Sequence, residues 1–428
     1  MGAGPAGTCL ALLLARQGVP VVLVEASEDP ARLFRGEALM PHGLAVLGAM
    51  GLLPLPDTIP QKTLGGWRFL LDGQELFRLA EPLEAGPGPG CTLISQPALL
   101  RHLLALLGKL PQVSLILGRR VERLLWRGDR VCGVQLADGA TISANLVVAA
   151  DGRDSPLRQQ ARIQLLERDR PFDLLWFGLD GESPSPLEGL FTTLVGSEGL
   201  FSAFEGASGS VQIGWVQSPS RRSPGTGPGR AGLNAHLAER LAAQSPPDLA
   251  RWWLKQADRI TGPTRLRVEV GQAEQWWRPG LLLLGDAAHP LSPVRAQGLN
   301  LALRDAWVAA SALAPVLKGW SASNDTTERA LHEALTWIEA QRRPEIRGLQ
   351  ALQAAETQRG QLLLQRPLLR GLLASQAPWL GGFVARRWSH DQRPLRQGLV
   401  ELPPATPAAA AMMVPCGDAR PTAAPESV

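Results

Sequence analysis

The chain has 428 residues, of which 45% are hydrophobic and 19% are charged, so it is long enough for two or three globular domains. Its 43 Lys and Arg residues barely exceed its 39 Asp and Glu residues, and the two kinds interleave, which argues against nucleic-acid binding. The four cysteines form no CxxC pair, so neither a disulfide framework nor a metal site is expected, and a cytoplasmic protein is favoured. The sequence contains no run of about 18 apolar residues, so no membrane-spanning helix is predicted.

The opening segment MGAGPAG fits the G-x-G-x-x-G pattern of a dinucleotide-binding turn. The residues of this turn are Gly2, Gly4, Pro5, Ala6 and Gly7. An apolar pattern at helical spacing follows, and the β-branched run VPVVLV then leads to Glu25, 18 residues past the third glycine. A carboxylate at this place can hold ribose hydroxyls and repels a 2′-phosphate, so the turn predicts a site for FAD or NAD.

The strand that normally precedes such a turn is not represented, because Met1 stands directly before Gly2. In a dinucleotide fold that strand is central, and its loss would leave buried backbone groups unpaired at a cost of about 1–3 kcal/mol each. We therefore expect the given start to lie inside the true gene, with an apolar β-branched strand encoded upstream.

A second motif lies in the segment NLVVAADGRDSPLR, where a predicted strand ends at Asp151 and Gly152. Ser155 and Arg158 follow at the start of a predicted helix. A dinucleotide contact would explain this pattern, and so would a structural Asp-Gly turn followed by a capped helix.

A third motif lies in the segment LLLLGDAAHPLSPVRAQGLN, where four leucines predict a buried strand that stops at Gly285 and Asp286. A carboxylate at a strand end can accept hydrogen bonds from a ribityl chain, which favours FAD over NAD. A helix is predicted to begin near Gln297, and its first N–H groups can face an electron-rich acceptor.

With these three motifs in order, the chain resembles the para-hydroxybenzoate hydroxylase-like, class A flavoprotein monooxygenases and their ubiquinone-pathway relatives. The resemblance implies an α/β fold with a Rossmann-like FAD-binding domain of the glutathione reductase type, an inserted antiparallel-sheet substrate domain and a C-terminal helical region, the first Rossmann strand being absent from the sequence. The implied FAD contacts are Gly2, Gly4, Pro5, Ala6, Gly7, Glu25, Arg35, Gln96, Arg101, Val121, Asp151, Gly152, Gly285, Asp286, Pro293, Gln297, Gly298, Leu299 and Asn300.

The domain boundaries follow from the resemblance and from the change in periodicity along the chain. The FAD-binding domain is expected at 1–63, 93–165 and 275–345, and the substrate domain at 64–92 and 166–274. Residues 346–402 are expected to form the helical region, in which arginines stand among leucines; this predicts a surface cap or, as an alternative, a basic face resting on a membrane. Residues 403–428 are rich in proline and alanine and are expected to be disordered.

The resemblance also implies a reaction. NADPH or NADH would reduce FAD, and a flavin hydroperoxide would then hydroxylate an aromatic, quinone-like or other apolar conjugated small molecule with molecular oxygen. One alternative is an FAD-dependent reductase or dehydrogenase of prenyl-type substrates on the same scaffold. Another is a non-catalytic dinucleotide-fold binding protein or a truncated fragment.

No catalytic residue is identified by sequence alone. The chain contains no tyrosine, which rules out the phenol-activating tyrosine relay of the benzoate hydroxylases. His42 is a candidate in its place, although a packing role near a helix start also explains it. Arg295 is a second candidate because it stands where the resembled family usually has glycine, in the loop that faces the flavin.

Overall fold

A computed structural model describes residues 1–29, 37–83, 88–179, 185–217, 230–320 and 325–403. The helices within these ranges are α1 (Pro5–Arg16), α2 (Pro41–Ala49), α3 (Gln96–Leu107), α4 (Pro156–Gln160), α5 (Arg230–Ala242), α6 (Pro247–Lys255), α7 (Gln297–Lys318), α8 (Asp325–Gln365), α9 (Pro367–Ser375) and α10 (Ala377–Gln397). The strands are β1 (Val21–Val24), β2 (Ala38–Leu39), β3 (Gln61–Thr63), β4 (Gly66–Leu71), β5 (Gln74–Ala80), β6 (Thr92–Ile94), β7 (Val113–Ile116), β8 (Val121–Arg127), β9 (Arg130–Leu136), β10 (Thr141–Ser143), β11 (Val147–Ala149), β12 (Leu165–Asp169), β13 (Asp173–Leu179), β14 (Leu190–Gly196), β15 (Gly199–Glu205), β16 (Val211–Gln217), β17 (Ile260–Arg267), β18 (Val270–Ala273), β19 (Trp277–Arg278) and β20 (Leu281–Leu283).

Two pairs of parallel strands surround the first glycine motif. Strand β1 pairs with β7, and β11 pairs with β20 in a separate sheet. The first two residues lie between these pairs. The Met1 ammonium group donates a hydrogen bond to the Val148 carbonyl at 2.9 Å, and the Met1 carbonyl accepts one from Ala150 N at 2.8 Å. On the other side, Gly2 N donates to the Val24 carbonyl at 2.8 Å.

Helix α1 carries the glycine motif into the core. Pro5 occupies its first turn, where the missing N–H would have no intrahelical partner. All residues from Ala6 to Ala15 are buried, and the helix packs against α3 and α7. This explains why the sequence in this helix is almost entirely Leu and Ala, since a helix that contacts protein on all sides carries no polar stripe.

A seven-stranded sheet in the order β17-β13-β16-β15-β14-β4-β5 forms the second layer. Neighbouring strands of this sheet are antiparallel, except that β14 and β4 run parallel to each other. Successive side chains alternate between the two faces, as the strand period requires. Leu175 and Phe177 join the apolar core beneath α5 and α6, whereas Leu174 and Trp176 point to the opposite face. The architecture is therefore mixed α/β, with several sheets and a group of C-terminal helices.

The C-terminal helices cover the open edge of this sheet. Helix α10 packs on β5, and a Cβ atom at Gly381 would lie only 2.2 Å from the Leu76 carbonyl oxygen, so glycine permits this close approach. Trp307 Nε1 donates to the Pro403 carbonyl at 2.9 Å, and the tail predicted to be disordered lies outside the described residues from 404 onward. Within the described ranges, no helix is long and apolar enough to cross a membrane.

A buried network of charges joins α7 to α8. Arg342 Nε donates to Asp305 Oδ1 at 2.7 Å, and the same guanidinium contacts Glu345. Arg304 Nη2 reaches Glu345 Oε1 at 2.7 Å, and His289 Nε2 lies 2.7 Å from Asp305 Oδ2. All five side chains are buried. Burial alone would raise the pKa of Asp305, but the charges of His289 and Arg342 outweigh it and lower this pKa to about 2.

We predict that Arg342→Met lowers the free energy of unfolding by about 3–5 kcal/mol, because Asp305 and Glu345 would stay buried without this cation. Urea denaturation at pH 7 measures the change. Arg329→Met on the same helix is the control; Arg329 is exposed, so its removal should change stability by less than about 0.5 kcal/mol. Equal effects of the two substitutions would contradict a stabilising role for the network.

Candidate functional site

A cavity of about 870 Å³ lies between the seven-stranded sheet and the part of the chain that carries the glycine motif. The first turn of α1, the loop after β11, the turn after β20 and the loop before α7 line one side of it. The outward face of the seven-stranded sheet and parts of α8, α9 and α10 line the other side. All three sequence motifs therefore contribute to a single cavity, in the size range of small-molecule and cofactor sites.

The three glycines of the first motif have two different roles. A Cβ atom at Gly2 would lie 2.3 Å from the Ala150 carbonyl oxygen, and one at Gly7 would lie 2.0 Å from the Gly2 carbonyl oxygen, so both glycines allow close packing. A Cβ atom at Gly4 would meet nothing within 4 Å, and Gly4 lines the cavity together with Pro5 and Ala6. Gly4 is thus the position where a ligand can approach the backbone.

Glu25 follows β1 and fixes the shape of the glycine turn. Its Oε2 accepts a hydrogen bond from Ala3 N at 2.8 Å, and its Oε1 accepts one from Ser27 N at 2.8 Å. The carboxylate is therefore held next to the turn, at the end of the strand where the sequence predicts a ribose acceptor.

The second motif forms a structural network, which was one of the two explanations left open by the sequence. Asp151 Oδ1 accepts from Ser155 Oγ at 2.6 Å, and Ser155 Oγ accepts from Arg158 N at 3.0 Å as the cap of α4. The Arg158 guanidinium donates to the Ala287 carbonyl at 2.8 Å and so ties this turn to the third motif. Gly152, rather than Asp151, lines the cavity.

The third motif places one carboxyl group in the cavity. Gly285 adopts a left-handed conformation (φ +61°), and a Cβ atom there would lie 3.1 Å from Ala6 Cβ, so the turn packs on the start of α1. Asp286 comes next and lines the cavity. Burial raises the pKa of Asp286 against the opposing charge of Arg153, whose Nη2 atom lies 3.7 Å from the carboxylate.

The loop before α7 has an unusual backbone. Arg295 and Ala296 are consecutive non-glycine residues in the left-handed region, with φ of +60° and +51°. Such residues persist only where the surroundings enforce them, and they concentrate at functional sites. The lining residues of this segment that the sequence predicted are Pro293, Arg295, Gly298 and Leu299. A Cβ atom at Gly298 would meet nothing within 4 Å, so the start of α7 is also open to a ligand.

Gln297 and Asn300, two of the predicted FAD contacts, support this loop and are absent from the cavity lining among the described residues. Gln297 is buried and its Nε2 donates to the carbonyls of Arg295 and Leu395 at 2.9 and 2.8 Å. Asn300 is buried as well; its Oδ1 accepts from Met40 N at 2.8 Å, and its Nδ2 donates to the Ala296 carbonyl at 2.9 Å. Both side chains hold the strained loop in place.

The remaining predicted residues are distributed differently. Gln96, at the start of α3, lines the cavity. Arg101 is exposed, and its Nη2 pairs with Asp29 Oδ2 at 3.1 Å outside the cavity lining. Val121 begins β8 and is also absent from the lining among the described residues. Arg35 lies outside the described residues.

His42 occupies a packed position, which favours the structural explanation over the catalytic one. It is buried on α2, its Nε2 lies 3.3 Å from Gln297 Oε1, and it is absent from the cavity lining within the described ranges. Burial, reinforced by the charge of Arg304, lowers the pKa of His42 to about 4.

Aromatic rings form the wall opposite the glycine turns. Phe191 stacks on Phe204 with ring centroids 5.2 Å apart, and Trp67 lies 5.1 Å from Phe191. The Arg295 guanidinium is held between two indoles, 5.3 Å from Trp67 and 4.6 Å from Trp388, and it forms an ion pair with Glu356 on α8. The lining aromatic residues are Trp67, Phe69, Phe77, Phe172, Trp176, Phe191, Phe204, Phe383 and Trp388.

Sequence reasoning did not identify two residues of the cavity lining, Glu37 and Trp388. Glu37 follows the predicted Arg35 in the chain, and its Oε2 accepts from Ala207 N at 2.7 Å. Burial raises the pKa of Glu37 against this hydrogen bond, so its carboxyl group is a candidate for proton transfer. Trp388 comes from α10, far along the chain, and only the fold brings it to the cavity.

The residues present fit a dinucleotide cofactor. Gly4 and Gly298 leave room for a ligand beside the starts of two helices, α1 and α7, whose first N–H groups have no intrahelical partners. Asp286 supplies an acceptor in the same cavity. An elongated anionic ligand with a flat ring at one end matches this set of groups.

We predict that His42→Gln makes stability less dependent on pH between 7 and 4. The folded-state pKa of His42 lies below its unfolded value, so its contribution is present above pH 6.5 and is lost as pH falls toward 4, by about 3 kcal/mol. Chemical denaturation of wild type and variant across this range measures the difference. A variant that loses turnover but keeps the wild-type pH dependence of stability would instead indicate a catalytic role.

Comparison with known proteins gives a consistent result. A family model described as an FAD binding domain matches residues 1–341. The 6-methylpretetramide 4-monooxygenase of Streptomyces rimosus is 35% identical over 361 residues, which cover 81% of this chain and 79% of the relative. The ubiquinone hydroxylase UbiL of Rhodospirillum rubrum is 30% identical over 321 residues, covering 73% and 71%.

Solved structures show the same fold. The p-nitrophenol 4-monooxygenase PnpA of Pseudomonas putida superposes with a TM-score of 0.70 at 21% identity, covering 93% of this chain and 98% of that one. HpxO of Klebsiella pneumoniae, solved with FAD and uric acid, superposes with a TM-score of 0.65 at 21% identity over 91% and 95%. The chain therefore belongs to the FAD-binding-domain family of para-hydroxybenzoate hydroxylase-like flavoproteins and is an FAD-dependent monooxygenase.

Proposed function

We propose that this protein hydroxylates an extended, uncharged aromatic ring system, with NADPH or NADH as the electron donor. The observation that carries this proposal is the aromatic wall of the cavity, which faces the glycine-lined turns across a space of about 870 Å³. Flat aromatic walls select flat apolar ligands through ring stacking and area burial. The name of the Streptomyces rimosus relative, which specifies a 4-monooxygenase of 6-methylpretetramide, supports the same class of substrate.

We infer the orientation of FAD from the order of the open positions. Its diphosphate would lie at Gly4 and the start of α1, with the ribose near Glu25. Asp286 would accept hydrogen bonds from the ribityl chain. The flavin ring would lie along the loop from Pro293 to Leu299, with Gln96 on the same side of the cavity.

The proposed cofactor orientation implies a division of the chain. We assign the FAD-binding domain to 1–63, 93–165 and 275–345, the substrate domain to 64–92 and 166–274, and the helical region to 346–402. The parallel pairs β1–β7 and β11–β20 would be two parts of one Rossmann-like sheet of the glutathione reductase type. The hydrogen bonds of Met1 and Gly2 to both pairs support this assignment.

Bound FAD would supply the redox chemistry, by taking a hydride from the nicotinamide and passing electrons to dioxygen. The N–H groups at the start of α7 would stabilise negative charge on the reduced ring. The aromatic wall would exclude water and hold the substrate ring in plane. We assign Glu37 Oε1 to accept the proton of a ring hydroxyl, because Glu37 lines the cavity and its other oxygen, Oε2, already accepts from Ala207 N. Burial raises the pKa of this carboxyl group.

We also propose that the protein acts in the cytoplasm. The thiols of Cys9, Cys91 and Cys132 are free, as expected in a reducing compartment.

We predict that Gly4→Val sharply reduces FAD content while the chain still folds. The extended backbone at Gly4 (φ −72°) suits valine, and a side chain there meets no protein atom, so the added methyl groups would occupy only ligand space. Flavin absorbance per protein should fall about ten-fold or more, whereas the melting temperature of the cofactor-free protein should not change. Gly88→Val, at an open position outside the cavity, is the control. Full FAD occupancy in the Gly4 variant would contradict the proposed diphosphate position.

We predict that NADPH or NADH oxidation accelerates when a fused-ring phenol is added, and that one ¹⁸O atom from ¹⁸O₂ appears in the product by mass spectrometry. Trp388→Ala should raise KM for this substrate about ten-fold and change kcat little, because it removes a wall that binds substrate and transition state equally. Electron transfer to a carbon–carbon double bond without ¹⁸O incorporation would restore the reductase alternative.

A further inference from the structure

A surface of α9 and α10 exposes large apolar side chains. Leu368 and Leu372 lie one turn apart on α9 and are 90% and 59% exposed; Trp379 and Phe383 lie one turn apart on α10 and are 85% and 65% exposed. We name these four residues the α9–α10 apolar face. Contiguous exposed apolar surfaces of this kind mark interaction sites in folded proteins.

The orientation of these side chains is fixed by the opposite side of the helices. On α10, the small residues Gly381 and Ala385 are buried at helical spacing against the sheet edge. On α9, Ala374 is buried, and Arg370 Nε donates to the Asp72 carboxylate at 2.8 Å. Because the inward side of both helices is anchored, the apolar face stays exposed in the part of the chain that the structure describes.

The charge around this face favours an anionic partner. Residues 357–400 contain seven arginines, of which Arg370 and Arg396 are buried in ion pairs and two others share the single acid of this segment, Asp391. Arg366 and Arg386 are exposed beside the apolar face, and neither has a carboxylate partner in the described part of the chain. Arginines next to an exposed tryptophan and leucines are typical of helices that lie on anionic lipid surfaces.

The apolar face is continuous with the cavity. Phe383 belongs to both, and the neighbouring Leu373, Val384 and Arg387 also line the cavity. Apolar side chains therefore connect this face with the lining of the cavity.

We propose that the α9–α10 apolar face docks onto a bilayer that contains anionic phospholipids, and that the cavity takes its apolar substrate from that surface. The second part rests on the proposed function, whereas the docking does not. The protein lies on the bilayer rather than across it, as the described helices include no membrane span.

Co-sedimentation with vesicles tests the docking. The FAD-loaded protein should bind vesicles of phosphatidylglycerol and phosphatidylcholine, and binding should weaken from 0.1 to 1 M NaCl, over which the screening length falls from about 10 to about 3 Å. Leu368→Ser/Trp379→Ser should weaken binding about ten-fold or more, and Arg366→Gln/Arg386→Gln should weaken it in phosphatidylglycerol vesicles. The matched control is Trp126→Ser/Leu166→Ser, which removes one exposed Trp on β8 and one exposed Leu on β12. This variant should bind vesicles as wild type does.

Two results would overturn the docking. One is vesicle binding that is absent or unaffected by Leu368→Ser/Trp379→Ser. The other is a dimer in sedimentation velocity that dissociates in this variant, which would show that a second copy covers the face. FAD content and the NADPH oxidation rate with a water-soluble phenol should match wild type in the variant. Vesicle binding without any oxygenated product would preserve the docking and contradict the proposed function instead.

Discussion

The buried network of Arg304, Asp305, Arg342 and Glu345 is the interaction on which the site depends. Charges in the interior are tolerated only when each has a partner, so α7 and α8 can pack in one register. The network also holds the end of the described chain, because Glu345 Oε1 accepts from Leu399 N at 3.0 Å. Since α7 begins at the cavity, this cluster ties the helix that follows the strained loop to α8 and to Leu399, just after the end of α10.

The seven-stranded sheet separates an apolar core on one face from the ligand cavity on the other. One face joins an ordinary aliphatic core under α5 and α6, and the other exposes aromatic rings to the cavity. Six of the seven strands contribute to both because side chains alternate, whereas the edge strand β5 contributes only to the cavity. A substitution such as Phe177→Ala would therefore act on stability, whereas the same change at Trp176, one residue away, would act on the ligand space.

The sequence predicted the parts of the site that are local. The spacing of Gly2, Gly4 and Gly7 reports a backbone requirement within one turn, and the FAD cofactor and the family were predicted correctly from such motifs. It could not separate a structural role of Asp151, which accepts from the Ser155 hydroxyl, from a ligand contact, because both uses require a carboxylate at the same turn. Nor could it find Trp388, which reaches the cavity only because α10 returns to the sheet edge.

The strained loop before α7 sets a backbone cost against side-chain contacts at one residue, Arg295. A non-glycine residue in the left-handed region costs about 1 kcal/mol or more, so glycine at position 295 would relax the backbone. It would also remove the guanidinium stacked between Trp67 and Trp388 and leave Glu356 without its cation. Glycine would therefore gain backbone freedom and lose these contacts together, and a redesign that replaces left-handed residues by glycine would remove a side chain that lines the cavity.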